Sequence, residues 1–164
     1  MIRIILKICF KVLVTYLFLG MANATAGSIT RVSIDSAGNE GDTGSFSPWI
    51  SGDGRFVSFE SRAANLVTGD TNGFSDIFVH DRLTGQTKRV SVDSFGNQAN
   101  NDSFFSSISG NGCVVAFWSM ASNLVVGDTN NEGDSFVYDC ATGQTTRVCV
   151  DSLGNQALFG TSPR

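Results

Sequence analysis

The chain has 164 residues, the length of one ordinary domain, with 11 basic against 15 acidic side chains and a net charge of −4. Three of the basic residues, Arg3, Lys7 and Lys11, lie in an N-terminal segment with the marks of a removable leader, which leaves 8 against 15. A phosphate-docking protein carries a basic patch, so nucleic acid and anionic membrane surfaces are poor partners for this chain.

Residues 1–26 open with a basic stretch, continue through the apolar run Val12–Ala22, and end in the small-residue pairs Ala22-Asn23-Ala24 and Ala24-Thr25-Ala26. That order is the pattern of a cleavable secretory signal. An apolar run of about 11 residues is too short for a membrane span, so no stable span is expected after cleavage. No cysteine follows the apolar run, which argues against a lipid anchor. The expectation is export, to the periplasm or the cell exterior.

Past residue 26 no window keeps a helical period. The chain has 18 glycines, only two prolines, and many Ser, Thr, Asn and Asp residues, as in a turn-rich β protein. Residues 50–94 return as residues 108–152 with no insertion or deletion, and more than half of the aligned positions are identical. Self-similarity at a fixed period marks a repeat architecture. In the first copy Gly52-Asp53-Gly54 reads as a turn after a strand that reaches Ser51, and Arg55–Ser61 as a second strand. A polar loop over 62–75 leads to a third strand, Asp76–Asp81; Leu83-Thr84-Gly85-Gln86 turns into a fourth, Thr87–Asp93. Ile77-Phe78-Val79 is apolar on consecutive residues, so both faces of that strand should be covered by protein. A small four-stranded meander covered on both faces is a propeller blade.

ISGDGRFVSF with FVHDRLTGQTKRV, and ISGNGCVVAF with FVYDCATGQTTRV, resemble the repeats of TolB-like (WD-repeat-like) β-propellers. That family joins its first two strands by a Ser-Pro-Asp-Gly turn; here Gly52 and Gly110 stand at the proline and Asn111 at the second aspartate. The resemblance covers residues 29–164 and implies an all-β fold and a scaffold or binding platform rather than an enzyme. The expected division is a signal at 1–26, a leading outer strand and loop at 27–45, blade 1 at 46–94, blade 2 at 104–152, and the truncated start of another blade at 153–164. Ile29–Asp35 aligns with the fourth strand of the repeat and is the expected leading strand. Rings close with roughly four to eight blades, so two blades form an incomplete ring with open apolar sides. Three readings follow: a segment of a longer propeller, a ring built from several two-blade protomers, or a self-sufficient pair. A protein partner or a second copy of the chain is therefore expected.

Cys113, Cys140 and Cys149 all lie in the second copy, where the first has Arg55, Arg82 and Ser91. Antiparallel pairing of the second and third strands sets Cys113 beside Cys140, so an exported chain is expected to bridge them, with Cys149 a separate buried thiol. The loop Gly127–Asp134 places Asp128, Asn130, Glu132 and Asp134 on alternate positions with Gly133 between, the spacing of a calcium loop. Its first copy supplies Asp70, Asn72 and Asp76 but has Phe74 at the Glu132 position. Asp139, at the closing position, lies five strand residues beyond Asp134, roughly 16 Å away, and cannot complete a cage. Turn chemistry alone also accounts for Asp, Asn and Gly there. No other cofactor is expected.

In a meander the loops after the second and fourth strands emerge on one side. This places the Asp70/Asn72/Asp76 loop with Asn39, Glu40 and Asp42, and the Asp128/Asn130/Asp134 loop with Asn97, Asn100 and Asp102. An acidic, amide-rich rim results, suited to a cation, a sugar or a basic protein patch, or simply to water. His80 is the only histidine, its counterpart is Tyr138, and a packing role is expected. No nucleophile elbow or His-Glu-x-x-His pair occurs, so a non-catalytic interaction scaffold is the favoured function. The alternatives are a propeller attached to a hydrolase whose catalytic residues lie elsewhere, and a calcium-stabilised structural repeat.

Overall fold

A computed structural model describes residues 28–157; the expected signal and most of the expected stub at 153–164 lie outside them. The described residues are all-β, with strands β1 (Ser45–Ile50), β2 (Phe56–Ser61), β3 (Asp76–Asp81), β4 (Thr87–Arg89), β5 (Ser103–Ile108), β6 (Val114–Ser119), β7 (Asp134–Asp139) and β8 (Gln144–Arg147). They form two antiparallel meanders, β1-β2-β3-β4 and β5-β6-β7-β8. The sheets stack face to face without closing a ring. Each sheet is a propeller blade.

Local chemistry explains the strand ends. Gly54 and Gly112 sit at positive φ in the β1–β2 and β5–β6 turns, a region L side chains avoid. Asp53 and Asn111 fix the same turns by accepting the N–H of Arg55 and Cys113 at 3.0 and 3.1 Å. The register of β1 on β2 slips between Phe46 and Trp49, where Ser47 takes positive φ and Pro48 has no N–H to offer a partner. The fourth strands are shorter than the expected Thr87–Asp93. Val90 N–H still reaches Ile77 O at 2.8 Å, but at the next residue the Ser91 hydroxyl takes over, accepting Ile77 N–H at 3.0 Å and donating to Asp76 at 2.5 Å. A side chain replaces the ladder, and the chain is free to cross to the neighbouring blade.

That crossing builds the core. With a period of two, Val115 and Phe117 on β6 share a face with Phe136 and Tyr138 on β7, and this face packs on Ile77 and Val79 of blade 1. Val90, Val92 and Ala99 on the crossing segment, with Ala121 and Leu124 of the loop after β6, complete the cluster. Each of the larger of these side chains, Val, Leu, Ile or Phe, contributes about 1.5–3 kcal/mol by leaving water. The directly opposed pair Phe117–Phe136 stacks at 5.9 Å, and its first-blade copy Phe59–Phe78 at 5.8 Å. Ile77, Phe78 and Val79 are all buried, so the apolar run of β3 is covered on both faces. The second-blade counterparts of Val90 (0% exposed) and Val92 (7%) are Val148 (49%) and Val150 (41%), so the far side of blade 2 is an open apolar surface.

The leading segment differs from expectation. Residues 31–35 form no strand, only an isolated bridge from Ile34 to Glu40. Val92–Gln98 and Val150–Gln156 repeat that bridge, so the segment matches the crossing chain that follows a fourth strand. Among the described residues both third strands, β3 and β7, are already paired with β4 and β8, so neither is open to its earlier part. Thr87 Oγ1 donates to Ile34 O as Thr145 Oγ1 donates to Val92 O, both at 2.5 Å, and anchors each crossing segment on the blade it covers.

Candidate functional site

The loops over 62–75 and 120–133 carry most of the residues singled out above. In blade 1, Asp70 and Asp76 face the guanidinium of Arg89, whose Nη1 lies 3.0 and 3.3 Å from their carboxylate oxygens. Asp76 is fully buried and also accepts Asn72 Nδ2 at 2.8 Å. The second blade repeats the arrangement: Arg147 Nη1 lies 3.4 Å from Asp128 and 3.2 Å from Asp134, and the Cys149 thiol donates to Asp134 where Ser91 does in the first. Burial pushes Asp70, Asp76 and Asp128 above the ordinary carboxylate range, and the arginines only partly offset it.

Four of the seven proposed calcium ligands are thus brought together in pairs, one pair in each blade, but around arginine. Asn72 and Asn130 each donate their Nδ2 to a backbone carbonyl, Ala99 O and Ala157 O, and use Oδ1 to hold their own loops by accepting Phe74 N–H and Glu132 N–H. Glu132 itself points to solvent. Among the described residues no group of three or more His, Cys, Asp or Glu side chains has the geometry of a metal site. The cation in each cluster is a guanidinium.

The loops do meet the crossing segments as the meander requires. Asp42 exchanges bonds with the Ala64-Asn65 pair in blade 1: Asp42 N–H donates to Asn65 Oδ1, and the Asp42 carboxylate accepts Ala64 N–H. Asn100 makes the corresponding pair with Asn123 and Ser122 N–H in blade 2. Asp102 bridges the blades, accepting Ser75 N–H at 2.7 Å and pairing with Arg62 at 3.1 Å. Glu40 pairs with Arg31. Much of the rim's acidity is therefore answered within the protein.

His80 is buried and its Nδ1 lies 2.9 Å from Thr87 Oγ1. That hydroxyl already donates its only hydrogen to Ile34 O, so Nδ1 carries the proton and donates to it. Burial lowers the pKa of the ring below its usual value, which keeps it neutral. It packs and holds the Thr87 hydroxyl, whose hydrogen is directed away from the ring to Ile34 O. Cys113 and Cys140 are neighbours across β6 and β7, with Cys140 N–H donating to Cys113 O at 2.8 Å, and both are thiols in this structure.

Two structural elements escaped the sequence reading. Arg89 and Arg147 are one; the signal was there in the recurring Thr-x-Arg-Val. The other is the loop Asp-Ser-x-Gly-Asn, present at 35–39, 93–97 and 151–155. In all three the aspartate accepts the asparagine's N–H through Oδ1 and its side-chain amide through Oδ2 at 2.8–2.9 Å. These bonds hold Asp35 and Asp151 below the usual carboxylate range, and the same bonds win over burial at Asp93. A pocket of about 150 Å³ lies between one such loop and the following blade, lined by Asp93, Ser94, Phe95, Asn123, Leu124 and Val125. It is smaller than the few hundred Å³ a drug-sized ligand fills.

No protein-family model matches the chain, and no curated protein sequence matches it. Solved structures do resemble it. TolB from Acinetobacter baumannii matches with 20% identity over 63% of this chain and 21% of its own length, at a TM-score of 0.40. The β-propeller domain of the Trilobed protease from Pyrococcus furiosus matches with 13% identity over 63% and 27%, at 0.41. A putative TolB from Agrobacterium tumefaciens matches with 16% identity over 63% and 32%, at 0.41. The likeness is one of fold. The chain spans at most about a third of the length of these proteins.

Proposed function

We propose that this chain is an exported, non-catalytic propeller segment that works as an interaction scaffold, with a protein partner or a second copy of the chain on its open blade face. One observation carries the reading. Val148 and Val150 occupy positions whose first-blade copies are buried between blades, yet each keeps over two-fifths of its surface exposed. Apolar surface left open at a repeat boundary favours a protein that covers it. The chemistry of the loops fits the same role: acids held by arginine, a neutral buried histidine and amide-locked turns build a rigid frame. Export rests on the pattern of residues 1–26, and cleavage would leave Gly27 as the first residue.

The test is photocrosslinking from position 148 in cells that make the full-length chain, alongside the solution mass of the purified protein. A discrete adduct from 148, absent when the crosslinker sits at exposed Thr68, supports the scaffold; so does a defined oligomer that Val148→Thr with Val150→Thr dissociates. A folded monomer at high concentration that yields no adduct from 148 defeats it.

A further inference from the structure

The cysteines of blade 2 are more than paired neighbours. β6 and β7 run in register from Val114 opposite Asp139, and one step further Cys113 stands opposite Cys140, joined by the 2.8 Å backbone bond. Directly opposed residues of a hydrogen-bonded antiparallel pair have Cα atoms about 5.5 Å apart, inside the range a disulfide spans, and their side chains leave the sheet on the same face. By the period of two that face is the one carrying Val115 and Tyr138, which meets blade 1. Cys140 and Phe56 both pack against this core, while Cys113 is exposed. Lys88 of blade 1 also reaches this end of the seam, where its ammonium bonds to Tyr138 Oη at 2.5 Å.

The first blade shows what this position does. There Arg55 clamps Asp81 through two bonds, 2.9 and 2.7 Å, and Arg82 reaches Gly54 O at 2.5 Å, so arginines fasten the ends of β2 and β3 together. In the second blade both arginines are cysteines, and Asp139 is left with the N–H groups of Ala141 and Thr142. The ionic fastening has been removed and two thiols stand in its place.

We infer that Cys113 and Cys140 form a thiol–disulfide exchange site that fastens the ends of β6 and β7 together, beside the blade seam, when a disulfide is supplied. The co-reactant is a disulfide, either a small molecule or another protein. Exposed Cys113, as thiolate, attacks one sulfur of the incoming disulfide, forms a mixed disulfide and expels a thiolate. Cys140 then gives up its proton and attacks Cys113 Sγ, expelling the second thiolate. Two protein thiols are oxidised to one disulfide and the incoming disulfide is reduced to two thiols. The order follows from access: Cys113 is open to solvent, and Cys140 is half-buried behind it. Burial pushes the Cys140 thiol up, while the ammonium of Lys88 pulls the other way.

The experiment incubates the full-length protein with glutathione disulfide, then alkylates it under denaturing conditions and maps the peptides by mass. The expected result is a peptide linking Cys113 to Cys140 with Cys149 alkylated, and a melting temperature raised by roughly 10 °C that reductant reverses. Cys140→Ser should trap one glutathionyl group on Cys113. Should either single variant fail to fold, the double variant Cys113→Arg with Cys140→Arg restores the first-blade residues and should melt identically in oxidant and reductant. Both cysteines alkylated after oxidation of folded protein, or Cys113 linked to Cys149 or to another chain, would overturn the inference.

Discussion

Replacing Arg89 by methionine keeps much of the side-chain volume and removes the charge that Asp70 and Asp76 share. Those carboxylates are 5% and 0% exposed, so water cannot take over from the guanidinium. Removing one partner of a buried ion pair costs about 3–5 kcal/mol. An independent bound agrees. The folded variant can escape the buried charge by protonating one carboxyl, and at pH 7 a group of ordinary pKa 3.8 takes up a proton at a cost of about 4.4 kcal/mol. At pH 5 the same step costs about 1.6 kcal/mol. The sign follows from linkage: a carboxyl whose pKa is raised by folding binds its proton in the native state first, so stability falls as pH rises between 3.8 and the raised value. Urea denaturation of Arg89→Met and the parent at pH 7, 6 and 5 should show a deficit that shrinks by about 2–3 kcal/mol on acidification. A deficit under 1 kcal/mol at pH 7, or one that does not change with pH, would show that Arg89 does not neutralise a buried acidic pair.

Four further outcomes are expected. A methyl group on Gly112 would lie 2.1 Å from Phe56 Cδ2 at a φ of +73°, so Gly112→Ala should cost about 3 kcal/mol, whereas Gly127→Ala, with φ +79° but open space around it, should cost about 1–2 kcal/mol; equal chemical-denaturation midpoints would contradict the seam packing. Phe136→Ala, which empties a fully buried site opposite Phe117, should cost about 3–5 kcal/mol in the same assay. Millimolar calcium or a chelator should leave the melting temperature unchanged, because each loop cluster already holds its arginine; a calcium-dependent rise of more than about 2 °C would reassign the Asp128–Asp134 loop. Arg55 holds Asp81 well below the usual carboxylate range, so that pair's stabilisation is present at neutral pH and fades as pH drops below 3.8. Arg55→Met should melt lower than the parent at pH 7, with the gap constant down to about pH 4 and narrowing steadily on acidification below that, and a gap that stays constant from pH 7 to about pH 2 would refute the assignment.

The blades were legible because the repeat, the glycine turns and the doubly apolar β3 agree on one architecture. Asp76–Asp81 begins and ends where its sequence places it. The first blade's fourth strand is shorter than its composition suggests for a local reason. Val-Ser-Val-Asp has strand composition, but the Ser91 hydroxyl replaces the ladder and the chain departs toward its neighbour. The loop acids were legible as a cluster but not as an ion pair. Arg89 and Arg147 stand among polar residues of a fourth strand, and only the fold shows that the 62–75 and 120–133 loops double back over them. The opposition of Cys113 and Cys140 followed from antiparallel register alone, since a strand pair fixes its neighbours wherever its turn falls.

The two repeats share one core, in which blade 2 presents Val115, Phe117, Phe136 and Tyr138 to Ile77 and Val79 of blade 1. Hydrogen exchange on Phe136→Ala, compared with the parent, tests it most directly. If the core is shared, amide protection must fall in β3 of blade 1 as well as in β6 and β7 of blade 2. Loss confined to blade 2, with the Ile77 and Val79 amides protected as before, would mean that the blades are independent sheets and would contradict the account.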